Sequence, residues 1–196
     1  MRAIGIPRVV IFYLVVAAVA VVSLWVQNDL WQVLAPATWG RAAGSVALGV
    51  AVGLSLVALS RLATARFSWA RRLSQELRNT LGELNAREAL VLASMSGIAE
   101  ELLFRGVLQP ALGLWIAAAI FGVLHIGPNR HFMPWTIMAF GAGLLFGVMF
   151  WWCGSLIAPI LAHATVNFLN LKRLCAAGPT VEIHLGPMPK RGLVEP

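Results

Sequence analysis

Residues Ala99–Gly106 read AEELLFRG and place two adjacent carboxylates and an arginine inside an otherwise apolar stretch. An ionisable side chain costs roughly 2.5–3.5 kcal/mol at the centre of a membrane-spanning helix on insertion scales, so such residues are rarely there without a function. Whether these eight residues lie in a membrane depends on the apolar runs on either side of them.

Those runs are long and numerous. The 196 residues are 59% hydrophobic and only 12% charged, which is outside the range of ordinary soluble domains. Because a spanning helix needs roughly 20 apolar residues, the sequence predicts an all-α, polytopic membrane bundle of about six transmembrane helices. We place them at 8–26, 42–60, 88–108, 111–127, 134–152 and 155–172. The first run continues past Ala20 to Val26, too long for the apolar region of a cleaved signal peptide, so we expect an uncleaved span.

The basic residues follow the spans. The net charge of +7 is compatible with nucleic-acid binding, but in the six-span arrangement all but two of the 15 Lys and Arg fall on one side of the membrane. The exceptions are Arg41 and Arg105. The positive-inside rule then predicts that both termini are cytoplasmic. We expect the protein in the plasma (inner) membrane of a bacterium. We expect membrane lipids as partners, and no nucleic acid.

The spans divide the chain into four parts. Residues 1–60 form two N-terminal transmembrane helices, 88–173 a four-helix transmembrane core that carries the chemistry, and 174–196 a cytoplasmic tail predicted to be disordered. Residues 61–87 form a cytoplasmic connector in which leucines recur at helical spacing among arginines and polar residues: Leu73, Leu77, Leu81 and Leu84. This pattern favours an amphipathic helix at the membrane interface, with a plain loop as the alternative.

Glu100, Glu101 and Arg105 have different expected roles. Glu101 and Arg105 are four residues apart, so their side chains meet on one helix face, and a bidentate ion pair would hold Glu101 rigid. Glu100 is rotated about 100° away and is not neutralised by the same arginine. We therefore predict that Glu101 is structural and that Glu100 is available as a general base. A simple ion-pair lock between helices explains Glu101 and Arg105 well and Glu100 poorly.

Two more spans carry polar residues. His125 ends the stretch IFGVLH, and the last span reads APILAHATVNFLN, with His163, Asn167 and Asn170 on one helix face. Each feature alone also fits hydrogen bonds that join helices. Together, two carboxylates, two imidazoles and an amide are the groups needed to activate a water molecule and to stabilise an oxyanion.

These motifs carry a family resemblance. EELLFRG, FGVLH and HATVN resemble, in this order, the EExxxR, FxxxH and HxxxN patterns of the CPBP family, the CAAX-protease and bacteriocin-processing (Abi) intramembrane peptidases. The resemblance covers Ala89 to about Arg173. It implies that Glu100 and His125 activate the attacking water, that His163 and Asn167 bind the oxyanion, and that Arg105 holds Glu101. No cofactor is implied.

The resemblance implies a membrane-associated protein or peptide substrate but leaves its identity open. Six spans are fewer than the eight typical of eukaryotic CAAX enzymes, so prenylated substrates do not follow, and bacteriocin maturation or trimming of sorting signals are alternatives. Two other classes of function remain. One is a zinc peptidase with Glu100, His125 and His163 as metal ligands, although the chain has no HExxH. The other is a non-enzymatic immunity or scaffold protein, for which an unpaired Glu100 has no use.

Overall fold

The described residues form an all-helical bundle, as the hydropathy pattern predicted. The computed structural model describes residues 5–35 and 38–176, and this part of the chain contains no strand. The helical elements are, in order, α1 (Ile6–Val26), α2 (Leu30–Leu34), α3 (Trp39–Arg66), α4 (Ser68–Leu81), α5 (Ala86–Glu101), a π-helical segment (Leu102–Leu108), α6 (Gln109–Leu112), α7 (Leu114–Leu124), a 3-10 turn (Arg130–Phe132), α8 (Met133–Cys153) and α9 (Ile157–Ala176).

Three helices within the described ranges are long and apolar enough to cross a membrane, judged by length and composition. They are α1, α3 and the stretch that ends with α8. Their outward faces carry large exposed apolar side chains, for example Phe12, Leu59 and Trp152. Such surfaces suit contact with lipid rather than water, and the chain is a helical membrane protein.

The other three predicted spans are helical too, but they differ from simple membrane helices. The span predicted at 88–108 changes to π-helical geometry after Glu101 and ends as α6. The span predicted at 111–127 is the 11-residue helix α7, which is shorter than a bilayer requires. The last is α9, whose 20 residues include His163, Asn167 and Asn170. These less regular elements carry the polar residues of the core, and the total of six spans stays a prediction.

The connector predicted at 61–87 contains α4. On this helix Leu73 is buried and Leu77 and Leu81 are half-buried, while arginines such as Arg71 are exposed. The predicted periodicity stops at Leu81, because α4 ends there, and the buried Leu84 lies in the segment between α4 and α5. The amphipathic helix is therefore confirmed in its conformation, and its contact with headgroups stays a prediction. Of the predicted tail, residues 174–176 continue α9 and 177–196 lie outside the described residues.

A capping box starts α5. The side chain of Asn85 accepts from the Glu88 backbone N–H, and the Glu88 carboxylate accepts from the Asn85 backbone N–H, both at 2.9 Å. Two N–H groups at the start of the helix thereby gain acceptors. This cap fixes where α5 begins and hence the turn on which Glu100 and Glu101 lie.

Helix α9 lies at the centre of the bundle, against α3, α5 and α8, and glycines allow this close packing. A Cβ added at Gly53 of α3 would lie 2.8 Å from the Thr165 Cβ, and one added at Gly97 of α5 would lie 3.0 Å from the Ala164 nitrogen. Small residues at such crossings let helix backbones approach in a membrane, where no hydrophobic effect drives helices together. Gly97 thereby brings α5 and α9 together one turn before the two glutamates.

Candidate active site

The two glutamates lie where the helix geometry changes. Glu100 and Glu101 are the last residues of α5, and Leu102–Leu108 continue the same rod as a π-helix. Single turns of π-helix are rare and occur frequently at functional sites. Sequence periodicity predicted an ordinary α-helix through residue 108, because nothing in the pattern of apolar residues distinguishes a π-helical turn from an α-helical one.

The predicted ion pair between Glu101 and Arg105 is present and buried. Arg105 Nη1 donates to Glu101 Oε1 at 3.0 Å, and the two side chains are 2% and 0% exposed. The bidentate geometry expected from the sequence is wrong, because Arg105 Nη2 turns to α8 and donates to the Gly143 carbonyl at 3.1 Å. One guanidinium therefore joins α5 to α8 while it holds the carboxylate.

Aromatic rings enclose the Arg105 guanidinium. Its central carbon lies 4.9 Å from the centre of the Phe121 ring, 5.6 Å from that of Phe146 and 5.8 Å from that of Phe104. Ring faces attract a cation that has been removed from water and partly replace its hydration. The sequence identified Phe121 only as a member of the FxxxH pattern, and this contact gives it a physical role.

His163 binds the same oxygen of Glu101. Its Nδ1 lies 2.7 Å from Glu101 Oε1, which also accepts from Arg105. Because an ionised carboxylate can only accept, this contact assigns the proton to Nδ1 and directs Nε2 toward the other glutamate. Sequence reasoning paired Glu101 with Arg105 alone. The structure adds that Glu101 orients the first residue of the HxxxN pattern.

His125 is oriented by the helix that precedes it. It lies just beyond α7, and its Nδ1 is 2.7 Å from the Phe121 carbonyl, an acceptor that assigns the Nδ1 proton and leaves Nε2 free. The imidazole packs on the Phe121 ring at 4.4 Å and against Trp135 at 5.1 Å between centroids. The histidine that ends the FxxxH pattern is thus held by the backbone carbonyl and the ring of the phenylalanine that begins it.

Glu100 lies between the two histidines. Its Oε2 is 3.9 Å from His125 Nε2 and 3.8 Å from His163 Nε2, and makes no hydrogen bond with the described residues. Its Oε1 accepts a hydrogen bond of 3.0 Å from the hydroxyl of Tyr13 on α1. Glu100, His125 and His163, which the sequence analysis grouped, therefore meet at one point, and their catalytic roles stay a prediction. Tyr13 was missed, although it is the single tyrosine of the chain and lies in an uncharged apolar run.

The two asparagines of α9 have different partners. Asn167 Nδ2 donates to Ser96 Oγ of α5 at 2.9 Å, one turn before Glu100. Asn170 Oδ1 accepts from Ser60 Oγ of α3 at 3.3 Å and so joins α9 to another helix, away from the glutamates. The structure therefore groups Asn167 with the candidate site and Asn170 with the packing contacts of α3. Ser96 carried no sequence signal.

Metal ligation was the alternative use of Glu100, His125 and His163. Among residues 5–35 and 38–176, no group of three or more His, Cys, Asp or Glu side chains is arranged to hold a metal ion. A zinc peptidase stays an alternative, and the effect of a chelator on activity tests it.

Comparisons with known proteins show similarity over the core helices. The sequence profile described as type II CAAX prenyl endopeptidase Rce1-like matches residues 83–169, which contain all three motifs. The uncharacterized protein YpbD of Bacillus subtilis (strain 168) is 40% identical over 80 residues, or 40% of this chain and 41% of that protein, so the chain matches about two-fifths of its relative's length. No solved structure matches. Residues 83–169 are therefore similar to the Rce1-like type II CAAX prenyl endopeptidases, in the region that carries the three motifs.

Proposed function

We propose that the protein is a glutamate-dependent intramembrane endopeptidase, which hydrolyses peptide bonds of membrane-associated proteins or peptides. The observation that carries the proposal is the convergence of two imidazole Nε2 atoms on Glu100 Oε2, at 3.9 and 3.8 Å. The family description, a CAAX prenyl endopeptidase, supports a hydrolase acting on peptide bonds beside a membrane. We do not extend it to prenylated substrates, because the comparison covers only the core helices.

The spacing suits a water nucleophile. Separations of 3.8–3.9 Å are too long for direct hydrogen bonds but can be bridged by one water at about 2.8 Å from each atom. In this arrangement Glu100 Oε2 removes a proton as the water oxygen bonds to the scissile carbonyl carbon, and His125 Nε2 helps to hold the water. The protonated Glu100 then gives this proton to the leaving amine as the peptide C–N bond breaks. Glu101 and Arg105 bind each other and are not available for the same step.

Two groups on α9 are positioned to stabilise the oxyanion that forms. When His163 Nε2 carries a proton it can donate to the oxyanion, and the Glu101 carboxylate at its Nδ1 balances the resulting charge. The Asn167 amide has a second N–H besides the one that binds Ser96. Preorganised donors of this kind stabilise the tetrahedral intermediate of acyl transfer.

The proposal includes a placement in the membrane. We infer that both termini are cytoplasmic and that α4 lies at the cytoplasmic face, because this places nearly all Lys and Arg on one side. The similarity to a Bacillus subtilis protein supports a bacterial plasma membrane. Trp39 and Ala86 begin α3 and α5, and the 28 residues of α3 span about 42 Å. Reporter fusions at these two residues are expected to give opposite-side signals. Equal signals would overturn the topology.

The activity itself is tested on whole membranes. Mass spectrometry compares peptide termini between cells that express the protein and cells that lack it, and new termini identify a cleaved bond. A quenched fluorescent peptide that spans this bond then serves as the reporter peptide. The purified full chain in lipid nanodiscs should cleave this peptide with and without a chelator. Loss of cleavage on chelation and its return with zinc would favour the zinc peptidase. No new termini and no cleavage would favour a non-enzymatic immunity or scaffold protein.

Asn167→Ala is expected to slow turnover of the reporter peptide by about 10²–10³, the usual effect of losing one oxyanion donor. Its matched control is Asn170→Ala, which removes the same group one turn later, where it binds Ser60 of α3. We expect the control to stay within a few-fold of the unaltered protein at equal abundance. Equal losses in the two variants would remove Asn167 from the oxyanion site.

A further inference from the structure

We propose that Tyr13 is a positioning residue for the water-activating Glu100, so that α1 completes a site whose other members lie between residues 83 and 169. The inference rests on the proposed function and adds to it a residue outside the family segment. Tyr13 acts through Glu100: its hydroxyl donates to Oε1 at 3.0 Å, while Oε2 faces the two histidines.

The surface of α1 explains why Tyr13 faces the site. The less exposed residues of α1 recur at helical spacing and so form one inward face. On it Tyr13, Val16 and Ala17 are half-buried, and Ala20 and Leu24 are buried. The neighbours of Tyr13 on the other side are exposed apolar residues, including Phe12 at 60% and Leu14 at 53%. A hydroxyl donor in hydrocarbon requires an acceptor, and Glu100 supplies one to Tyr13.

Contacts further along α1 fix its distance from the site. Leu24 packs beside the π-helical segment at Gly106, where an added Cβ would lie 3.1 Å from Leu24 Cδ1. Ala20 and Leu24 belong to one buried cluster with Leu102, which follows the two glutamates. The position of α1 relative to Glu100 is therefore set by packing that does not involve Tyr13, and the hydroxyl is presented to a carboxylate already in place.

The hydrogen bond restricts the carboxylate. Glu100 and its oxygens could otherwise turn about the side-chain bonds, since Oε2 has no hydrogen bond with the described residues. With Oε1 held by Tyr13, Oε2 remains the oxygen directed at both imidazoles. Because a displacement of about 1 Å in a reacting group can cost as much as 10²-fold in rate, fixing this oxygen has a measurable catalytic effect.

The first test is kinetic. Tyr13→Phe keeps the ring and its edge-to-face contact with Phe12 and removes only the hydroxyl. In nanodiscs, kcat for the reporter peptide should fall by about 10–100-fold with KM unchanged and abundance equal. In a Glu100→Asp background the shorter side chain draws the carboxylate away from Tyr13. Adding Tyr13→Phe to Glu100→Asp should therefore lower kcat little further. The control is Ser23→Ala, which removes a hydroxyl that binds its own helix at Val19 O.

The second test needs no activity. The chain has one tyrosine, so the ultraviolet resonance Raman bands of its phenol report this hydroxyl alone. Glu100→Ala should change these bands, and Glu83→Ala, at an exposed acid, should leave them unchanged. Unchanged bands in Glu100→Ala would overturn the contact and the inference with it. Two outcomes would show that Tyr13 only anchors the structure. One is that Glu100→Ala changes the bands while Tyr13→Phe leaves kcat unaltered. The other is that Tyr13→Phe lowers kcat equally in the unaltered protein and in the Glu100→Asp variant. Absence of any peptidase activity would overturn the proposed function and the positioning role, while the spectra would still decide the contact.

Discussion

Glu100→Gln is expected to reduce turnover of the reporter peptide by about 10²–10⁴, the range typical of losing a general base. Glutamine keeps the shape of the side chain and an oxygen that can accept from Tyr13, but it cannot take a proton from water. Because Glu100 makes no ion pair with Arg105, the change should leave the buried pair intact. The variant should insert, fold and bind the peptide as the unaltered protein does.

The measurement is cleavage of the reporter peptide at equal protein abundance, with KM determined alongside kcat. Glu83→Gln is the matched control, since it makes the same chemical change at an exposed position before α5 and should leave turnover unaltered. Cleavage by Glu100→Gln at the rate of the unaltered protein would exclude a glutamate base at this position. A large fall in abundance would assign Glu100 to folding instead.

Arg105→Ala is expected to cause the largest loss of stability of any single change in the site. It leaves Glu101, which is fully buried, without its cation, and it removes the donor to the Gly143 carbonyl of α8. Breaking a buried ion pair by removing one partner costs about 3–5 kcal/mol, because the remaining charge is uncompensated. We expect lower abundance in the membrane, a lower unfolding temperature and no measurable turnover.

Abundance and thermal unfolding in nanodiscs provide the check. Arg130→Ala, at an exposed position, is the matched control and should change neither quantity. Adding Glu101→Gln to Arg105→Ala removes the stranded charge and should recover part of the lost stability without restoring activity. Normal abundance and normal unfolding of Arg105→Ala alone would show that the pair does not stabilise the fold.

Much of the fold was determined by local properties of the sequence. Hydropathy identified the stretches that became α1, α3, α5, α7, α8 and α9, because burial of a helix in lipid depends on the composition of that helix alone. The pair Glu101–Arg105 was predictable for a similar reason, since residues four apart meet on any helix. The three motifs identified the helices that form the site, though not the distances between them.

Other features were decided by which helices lie side by side. The Glu101–His163 contact and the monodentate geometry of Arg105 depend on the close approach of α9 and α8, which glycines such as Gly97 allow. The π-helical turn after Glu101 leaves no trace in apolar periodicity. Tyr13 is the clearest case: it is 87 positions from Glu100, and no local pattern relates the two. This hydrogen bond exists only because the packing of α1 brings donor and acceptor to 3.0 Å. The sequence therefore determined the helices and the groups they carry, and the tertiary structure decided which groups meet.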